Sequence, residues 1–264
     1  MQHANSPEMK IMDNITWEIR DNIGILTLNN PPENYLDRPD FLPINILKQW
    51  TLDEGLKGVL VCAGGKHFSG GGKLENLFKM IRANEDVSAR MEAGKSVLDH
   101  LENLNIPLVA AIQGICFGGG LEIALACHIR ICSENALFAF PEINSGILPG
   151  LGGTVRVHEL IGFPASMKMI LGGDMINAGE ALELKLIDYV TTKSGLFDHA
   201  FSLLKKMTYD RPLDVIHGVM QALQNSRKLS RQEAMLQETR IFCELALAEA
   251  KKRDASGDAA GRMF

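Results

Sequence analysis

Two glutamates stand where a carboxylate is expensive. Glu122 sits between Leu121 and the run Ile123-Ala124-Leu125-Ala126-Cys127, a segment whose helix would be apolar nearly all round and hence buried. A carboxylate there costs several kcal/mol of desolvation unless it is partnered, and burial lifts its pKa toward values useful for proton transfer. Glu142 repeats the oddity. It follows Phe138-Ala139-Phe140-Pro141 and leads through Ile143 toward Gly146-Ile147-Leu148-Pro149-Gly150-Leu151-Gly152-Gly153-Thr154. Each acid has a plainer alternative: an ion pair with Arg130 for Glu122, and a surface loop position for Glu142.

Two glycine bends accompany them. His67-Phe68-Ser69-Gly70-Gly71-Gly72-Lys73-Leu74 lies between an apolar strand and a helical stretch. Glycines let the backbone adopt positive φ and approach a ligand closely, and a helix start presents unpaired N–H groups. The segment suits an anion or a developing oxyanion; a merely flexible turn is the alternative. A phosphate-binding P-loop fails twice, because His67 stands where glycine is required and Leu74 where Ser or Thr is. Gly114-Ile115-Cys116-Phe117-Gly118-Gly119-Gly120-Leu121-Glu122 repeats the design. It lacks the GxGxxG spacing of a dinucleotide site, and Glu122 would repel phosphate there. Two acids and two bends make one set: proton-transfer groups and N–H donors for a single oxyanion.

The elements that must position this set can be read from periodicity. Ile15 to Arg20 and Ile23 to Asn29 read as strands around the turn pair Asp21-Asn22. Pro43 opens a short helix through Trp50. Leu56 to Cys62, Leu108 to Gln113 and His128 to Ser133 read as buried strands. Leu74 to about Leu104 and Gly119 to Cys127 read as helices, and strands and helices alternate to about Val190, which predicts α/β units. Beyond that point Phe197 to Met207, Pro212 to Asn225 and Arg231 to Arg253 read as helices. The implied organisation is a disordered leader over 1–13, a core over 14–195 and a helical region over 196–264, fraying from Ser256.

Composition narrows the function classes. The chain has 264 residues, 46% apolar and 22% charged, with a net charge of −5, ample for a sizeable core. No basic cluster exceeds Lys251-Lys252-Arg253, which disfavours a nucleic-acid surface. No stretch reaches a membrane span, and Met1 to Met12 lacks a signal-peptide pattern, so the cytoplasm is expected. The five cysteines, Cys62, Cys116, Cys127, Cys132 and Cys243, lie among apolar residues and read as buried free thiols. No metal-ligand spacing occurs and no metal is predicted. His67 reads as structural, and His128 as a cap on the preceding helix. Met80 and Met91 serve equally as core or as the lining of an acyl pocket.

The segment Ile112 to Thr154, with its glycine-triplet-X-Glu element, its Pro141-Glu142 pair and its Pro149-Gly150-Leu151-Gly152-Gly153-Thr154 tail, resembles the signature of the enoyl-CoA hydratase/isomerase (crotonase) superfamily. The similarity runs from about Ile15 to Val190. It implies an α/β spiral of repeated ββα units with a C-terminal helical trimerisation region, assembled as a homotrimer or homohexamer. It also implies that the amides of Gly72 and Gly119 form an oxyanion hole for a thioester carbonyl. Glu122 would activate water for C3 and Glu142 would deliver a proton to C2. Gly70, Gly71, Lys73 and Leu74 are then the candidate positions for holding the substrate's carrier, CoA or acyl carrier protein, with no further cofactor. Isomerases of the family commonly keep only the acid at the Glu142 position, and dienoyl-type isomerases add one where Gly150 stands, so two glutamates favour hydration or dehydration. Isomerisation, decarboxylation and thioester hydrolysis through the same enolate are the alternatives, and a non-catalytic RNA-binding relative is disfavoured by the acidic charge. The sequence departs from the family at Gly70-Gly71-Gly72-Lys73, which usually reads Ala-Gly-Ala-Asp, and at Asn34-Tyr35-Leu36-Asp37-Arg38-Pro39. Lys73 either meets a carrier phosphate or is a solvated lysine at a helix start.

Overall fold

Alternating apolar residues around two turn formers begin the fold. Residues 10–12 and 14–256 are described in the computed structural model. β1 (Lys10–Met12), β2 (Ile15–Arg20) and β3 (Ile23–Leu28) pair antiparallel, with Arg20 opposite Ile23. That register leaves Asp21 and Asn22 as the whole turn, at φ 51° and 63°, the positive values a two-residue hairpin requires. Of the leader expected over 1–13, Lys10–Met12 form the edge strand and the remainder lies outside the described residues.

After β3 the pairing turns parallel. α1 (Ile44–Thr51) leads to β4 (Gly58–Ala63), and α2 (Leu74–Arg82) with α3 (Val87–Glu102) leads to β5 (Leu108–Ile112). β6 (Ile115–Phe117) and α4 (Gly119–Leu125) lead to β7 (Ile129–Ser133). Then come β8 (Leu137–Ala139), a 3-10 turn (Pro141–Ser145), α5 (Gly153–Ile161), α6 (Phe163–Gly172), β9 (Ile176–Asn177), α7 (Ala178–Glu183) and β10 (Tyr189–Thr191). The main sheet has the order β1-β2-β3-β4-β5-β7-β10. Its middle strands are apolar throughout, as in Val59-Leu60-Val61 and Leu108 to Ile112, all buried, because both faces of a parallel sheet are covered.

Each turn of chain also places a short extended stretch in a second layer. β6 pairs with β8 and β8 with β9, and isolated bridges continue the layer from Cys116 to Ser69 and from Gly72 to Leu36. This repetition is the expected spiral, and it stacks equivalent bends of successive turns on one another.

The structure differs from the sequence expectation in three places. The helix expected over about 74–104 is two helices, broken where Asn84 takes φ 56° and where the Asp86 side chain accepts the Ala89 amide at 2.9 Å to cap α3. The core extends past residue 195: α8 (Leu196–Thr208) buries Leu196, Ala200 and Leu204 with Ile23, Leu60 and Val109, so the first compact unit reaches Met207. Cys243 is exposed, unlike the four other cysteines.

The second unit contains α9 (Leu213–Lys228) and α10 (Arg231–Ser256). Gly218 lets the two helices meet closely, since a β-carbon there would lie 2.9 Å from Ile241 Cγ2 and Leu245 Cδ1. Lys252 pairs with Asp214 at 3.1 Å. Apart from Ser256, the expected frayed end lies outside the described residues. Among the described residues no helix is long and apolar enough to cross a membrane.

Candidate active site

The stacking of bends brings the two glycine segments into step. Ser69 lies beside Cys116 in parallel, and Gly72 and Gly119 each follow three residues later. A β-carbon built on Gly119 would lie 3.5 Å from the Gly72 nitrogen, and one on Gly71 would lie 3.2 Å from the Gly119 nitrogen. The two amides are therefore neighbours. Gly71 is the residue that permits the approach: it holds φ 87°, and a side chain there would strike the Phe117 carbonyl at 2.7 Å.

The other amides of the first bend are already committed. Gly70 N donates to Glu33 O at 2.7 Å and Lys73 N to Leu36 O at 2.9 Å, while Gly71 N donates to Ser69 Oγ at 3.1 Å. Among the described residues the Gly72 and Gly119 amides have no acceptor. Two adjacent unpaired donors at a cavity wall suit a carbonyl oxygen that gains negative charge. As for the residues expected to hold a carrier, Gly70, Gly71, Lys73 and Leu74 all line the same cavity. The backbone donors of Gly70, Gly71 and Lys73 are spent internally, so these three can meet a ligand only through their surfaces or the Lys73 ammonium.

Support for the first bend comes from two residues that local sequence does not mark. Asn34 is buried, at φ 51°; its amide nitrogen donates to Gly64 O at 2.8 Å and His67 O at 2.7 Å, and its oxygen accepts Asn30 N at 2.7 Å. Ser69 Oγ donates to Asn34 O at 2.7 Å. Their polarity inside buried backbone is the only trace in the sequence. His67 is structural as expected: Nδ1 accepts the Ile115 amide at 3.1 Å and joins the two segments that carry the bends. His128 serves the end of α3 rather than the helix that precedes it. Its Nδ1 accepts Leu108 N at 3.0 Å, which leaves Nε2–H to donate to Glu102 O at 3.1 Å, so it ties β5 to the end of α3.

Glu122 is 2% exposed. Its Oε1 accepts the amides of Leu151 at 2.6 Å and Gly153 at 2.7 Å, and Oε2 has no hydrogen-bond partner among the described residues. Burial pushes its pKa up to about 7, the two amides pull the other way, and the nearby Glu142 charge adds to the rise. Arg130 is not its partner. That guanidinium serves the Leu186 carbonyl at 2.8 Å, the Cys127 carbonyl and Asp188.

Glu142 stands in the 3-10 turn that Pro141 opens. Its carboxylate lies against Gly118, where a β-carbon would meet Oε1 at 2.4 Å, and Gly118 holds φ 48°. Glu142 Oε2 is buried without a partner, and burial raises this carboxyl above its ordinary value. Both acids and both free amides border one cavity of about 550 Å³, completed by Leu77, Met80, Met91 and Leu148. Met91 lies over Gly150, where an added β-carbon would be 2.2 Å from its Cε. Among the described residues no group of three or more His, Cys, Asp or Glu side chains is placed to hold a metal ion.

This arrangement can polarise a carbonyl and move protons at the carbons next to it. Comparison with known proteins agrees in kind. Residues 18–257 match the family described as enoyl-CoA hydratase/isomerase. A probable enoyl-CoA hydratase of Bacillus subtilis is 30% identical over 243 residues, covering 91% of this chain and 93% of that protein. The fatty acid oxidation complex subunit alpha of Idiomarina loihiensis is 34% identical over 224 residues; the match takes in 81% of this chain and 32% of that longer subunit. The crystal structure of an enoyl-CoA hydratase from Bacillus anthracis superposes with a TM-score of 0.81 at 26% identity, covering 92% of this chain and 97% of that one.

Proposed function

Because the chain belongs to the enoyl-CoA hydratase/isomerase family, we propose that it adds water to a 2-enoyl thioester, or removes it from a 3-hydroxyacyl thioester. The observation that carries this reading is the meeting of Glu122, Glu142 and the two unpaired amides on one cavity. The thioester carbonyl oxygen accepts the Gly72 and Gly119 N–H groups. Glu122 takes a proton from water through its free oxygen as the hydroxyl bonds to C3, and the alkene electrons move onto the carbonyl as an enolate. Glu142 then protonates C2. One oxyanion donor contributes roughly 3–4 kcal/mol in such a transition state, and a positioned acid or base about 10²–10⁴-fold in rate.

CoA is the proposed carrier, with Lys73 at the rim as the cation for its phosphates; acyl carrier protein is the competing carrier. No cofactor or metal enters the steps. The chain assembles as a homotrimer or homohexamer, a reading supported by exposed Phe163, Met167 and Leu171, spaced four residues apart along α6. Sedimentation equilibrium tests that state.

The activity test is hydration of crotonyl-CoA and longer enoyl-CoAs, with products identified by mass. Hydration adds one water, isomerisation leaves the mass unchanged and decarboxylation loses CO2. Glu122→Gln and Glu142→Gln are each expected to lose about 10²-fold or more in kcat. Undiminished turnover in both variants would refute the assignment.

A further inference from the structure

Arg156 of α5 is 8% exposed and forks three ways. Nη1 donates to the Leu151 carbonyl at 2.8 Å, Nη2 reaches Asp99 Oδ1 at 2.6 Å and Nε reaches Glu102 Oε2 at 2.9 Å. Room for it comes from Gly152, at φ 97°, where a β-carbon would sit 2.4 Å from Nη1. Leu151, whose carbonyl it grips, is the same residue whose amide grips Glu122 Oε1, and the second donor to that oxygen is Gly153. The bend from 151 to 153 is thus held from one side by the guanidinium and from the other by the carboxylate.

The anchors differ in kind. Asp99 is 62% exposed and Glu102 19%, so the Glu102 contact is the better shielded of the two. Both lie on α3, remote in sequence from Glu122, and neither reaches the carboxylate itself. Arginine suits the task because its rigid planar fork holds three acceptors that lie apart, whereas an ammonium presents its three donors from a single point.

We infer that Arg156 is a positioning residue: braced by Asp99 and Glu102, it clamps the Leu151 carbonyl and thereby sets the two amides that orient the Glu122 carboxylate. The inference rests on the reading of Glu122 as the water-activating base. The charged groups around that carboxylate are Glu142, whose charge raises its pKa, and Arg156, whose charge lowers it.

The test uses R156M and R156K, each alone and combined with E122Q. A misplaced base costs on the order of 10²-fold in rate, so R156M is expected to lose about 10- to 100-fold in kcat with KM within about twofold. R156K should recover part of that loss. The acidic limb of the kcat profile should move to higher pH in R156M and stay in place in R156K. In the E122Q background neither change should cost anything further, since the clamp acts through that residue. Additive losses in the double variants would overturn the inference. So would a soluble R156M with an altered melting temperature but an unmoved acidic limb and kcat. If R156M does not fold, the R156K/E122Q cycle carries the same decision.

An arm independent of turnover separates this inference from the reading beneath it. The infrared carbonyl band of protonated Glu122, isolated as wild type minus E122Q, is followed against pH. It should titrate higher in R156M than in wild type, and an identical titration overturns the clamp even if the protein hydrates nothing. Hydration unimpaired in E122Q would instead remove the role assigned to Glu122.

Discussion

The Leu151 amide sits 2.6 Å from Glu122 Oε1, yet the carboxyl's pKa is pushed up to about 7 because burial outweighs the bonds it accepts. The sign of the pH dependence follows. Glu122 must be ionised to take a proton from water and Glu142 protonated to give one, so kcat/KM for hydration should trace a bell in pH, its two limbs carrying the ionisations of Glu122, pushed up to about 7, and of Glu142, raised by burial. A rate profile taken on crotonyl-CoA at constant ionic strength checks both limbs.

The same carboxyl makes a stability prediction. The folded chain keeps a proton at Glu122 that an ordinary carboxyl at 4.5 has released. Its contribution to stability is whole below that value and declines as pH rises to about 7. The shift corresponds to up to about 3 kcal/mol. E122Q keeps an oxygen for the Leu151 and Gly153 amides but never ionises. It should therefore melt higher than wild type at pH 8, with the gap closing toward pH 4.5. Urea titrations at both pH values measure it, and a gap that widens toward acid would contradict the argument.

Three glycines should separate by function. Gly72 contributes an amide, and a β-carbon there meets nothing within 4 Å; G72A should fold, gain about 0.4–1 kcal/mol and keep near-normal kcat. G71A places a side chain at φ 87° against the Phe117 carbonyl, and G118A drives one into Glu142 at φ 48°. Each stores about 1–3 kcal/mol of backbone strain before any clash and should lose most activity. Melting curves beside kcat for the three variants decide it.

Much of this site is legible in the sequence, and what is not has a physical cause. Glu122 and Glu142 stand out because polarity in an apolar setting is a local signal, and the bends because glycine is a backbone signal. Asp21-Asn22 announces its turn in the same way. Arg156 carries no such mark: it reads as an ordinary helix residue, and its partners Asp99 and Glu102 lie more than fifty residues earlier. Arg130, the nearer arginine in sequence, is drawn instead to Asp188 and the chain following α7. The second layer escapes because its strands are two or three residues long, too short for periodicity to register.

Ser69 and Asn34 test whether the first bend needs its internal latch. Ser69 Oγ accepts Gly71 N and donates to Asn34 O, fully buried. S69A leaves that amide and that carbonyl without partners, which costs about 1–3 kcal/mol. Because the bend carries the Gly72 amide, kcat should fall while KM changes little. S69C, nearly isosteric and able to bond weakly, should lie between. A lowered melting temperature with kcat intact would mean that the latch stabilises the fold without tuning the oxyanion donors.

Met91 sets the room beyond the acids. Its Cε occupies the notch that Gly150 leaves open, one residue before the Leu151 amide that holds Glu122, and it borders the cavity with Leu77 and Met80. An acyl chain extending past C3 of a bound thioester would meet this side chain. M91A removes three heavy atoms beyond the β-carbon, and a methylene accommodated in an apolar pocket changes discrimination by about 10-fold or more. The ratio of kcat/KM for ten-carbon to four-carbon enoyl-CoA should therefore rise on the order of 10-fold in M91A. M91W, which overfills the notch, should depress the longer substrate more than the shorter. Equal ratios in wild type, M91A and M91W would show that the acyl chain leaves the cavity by another route.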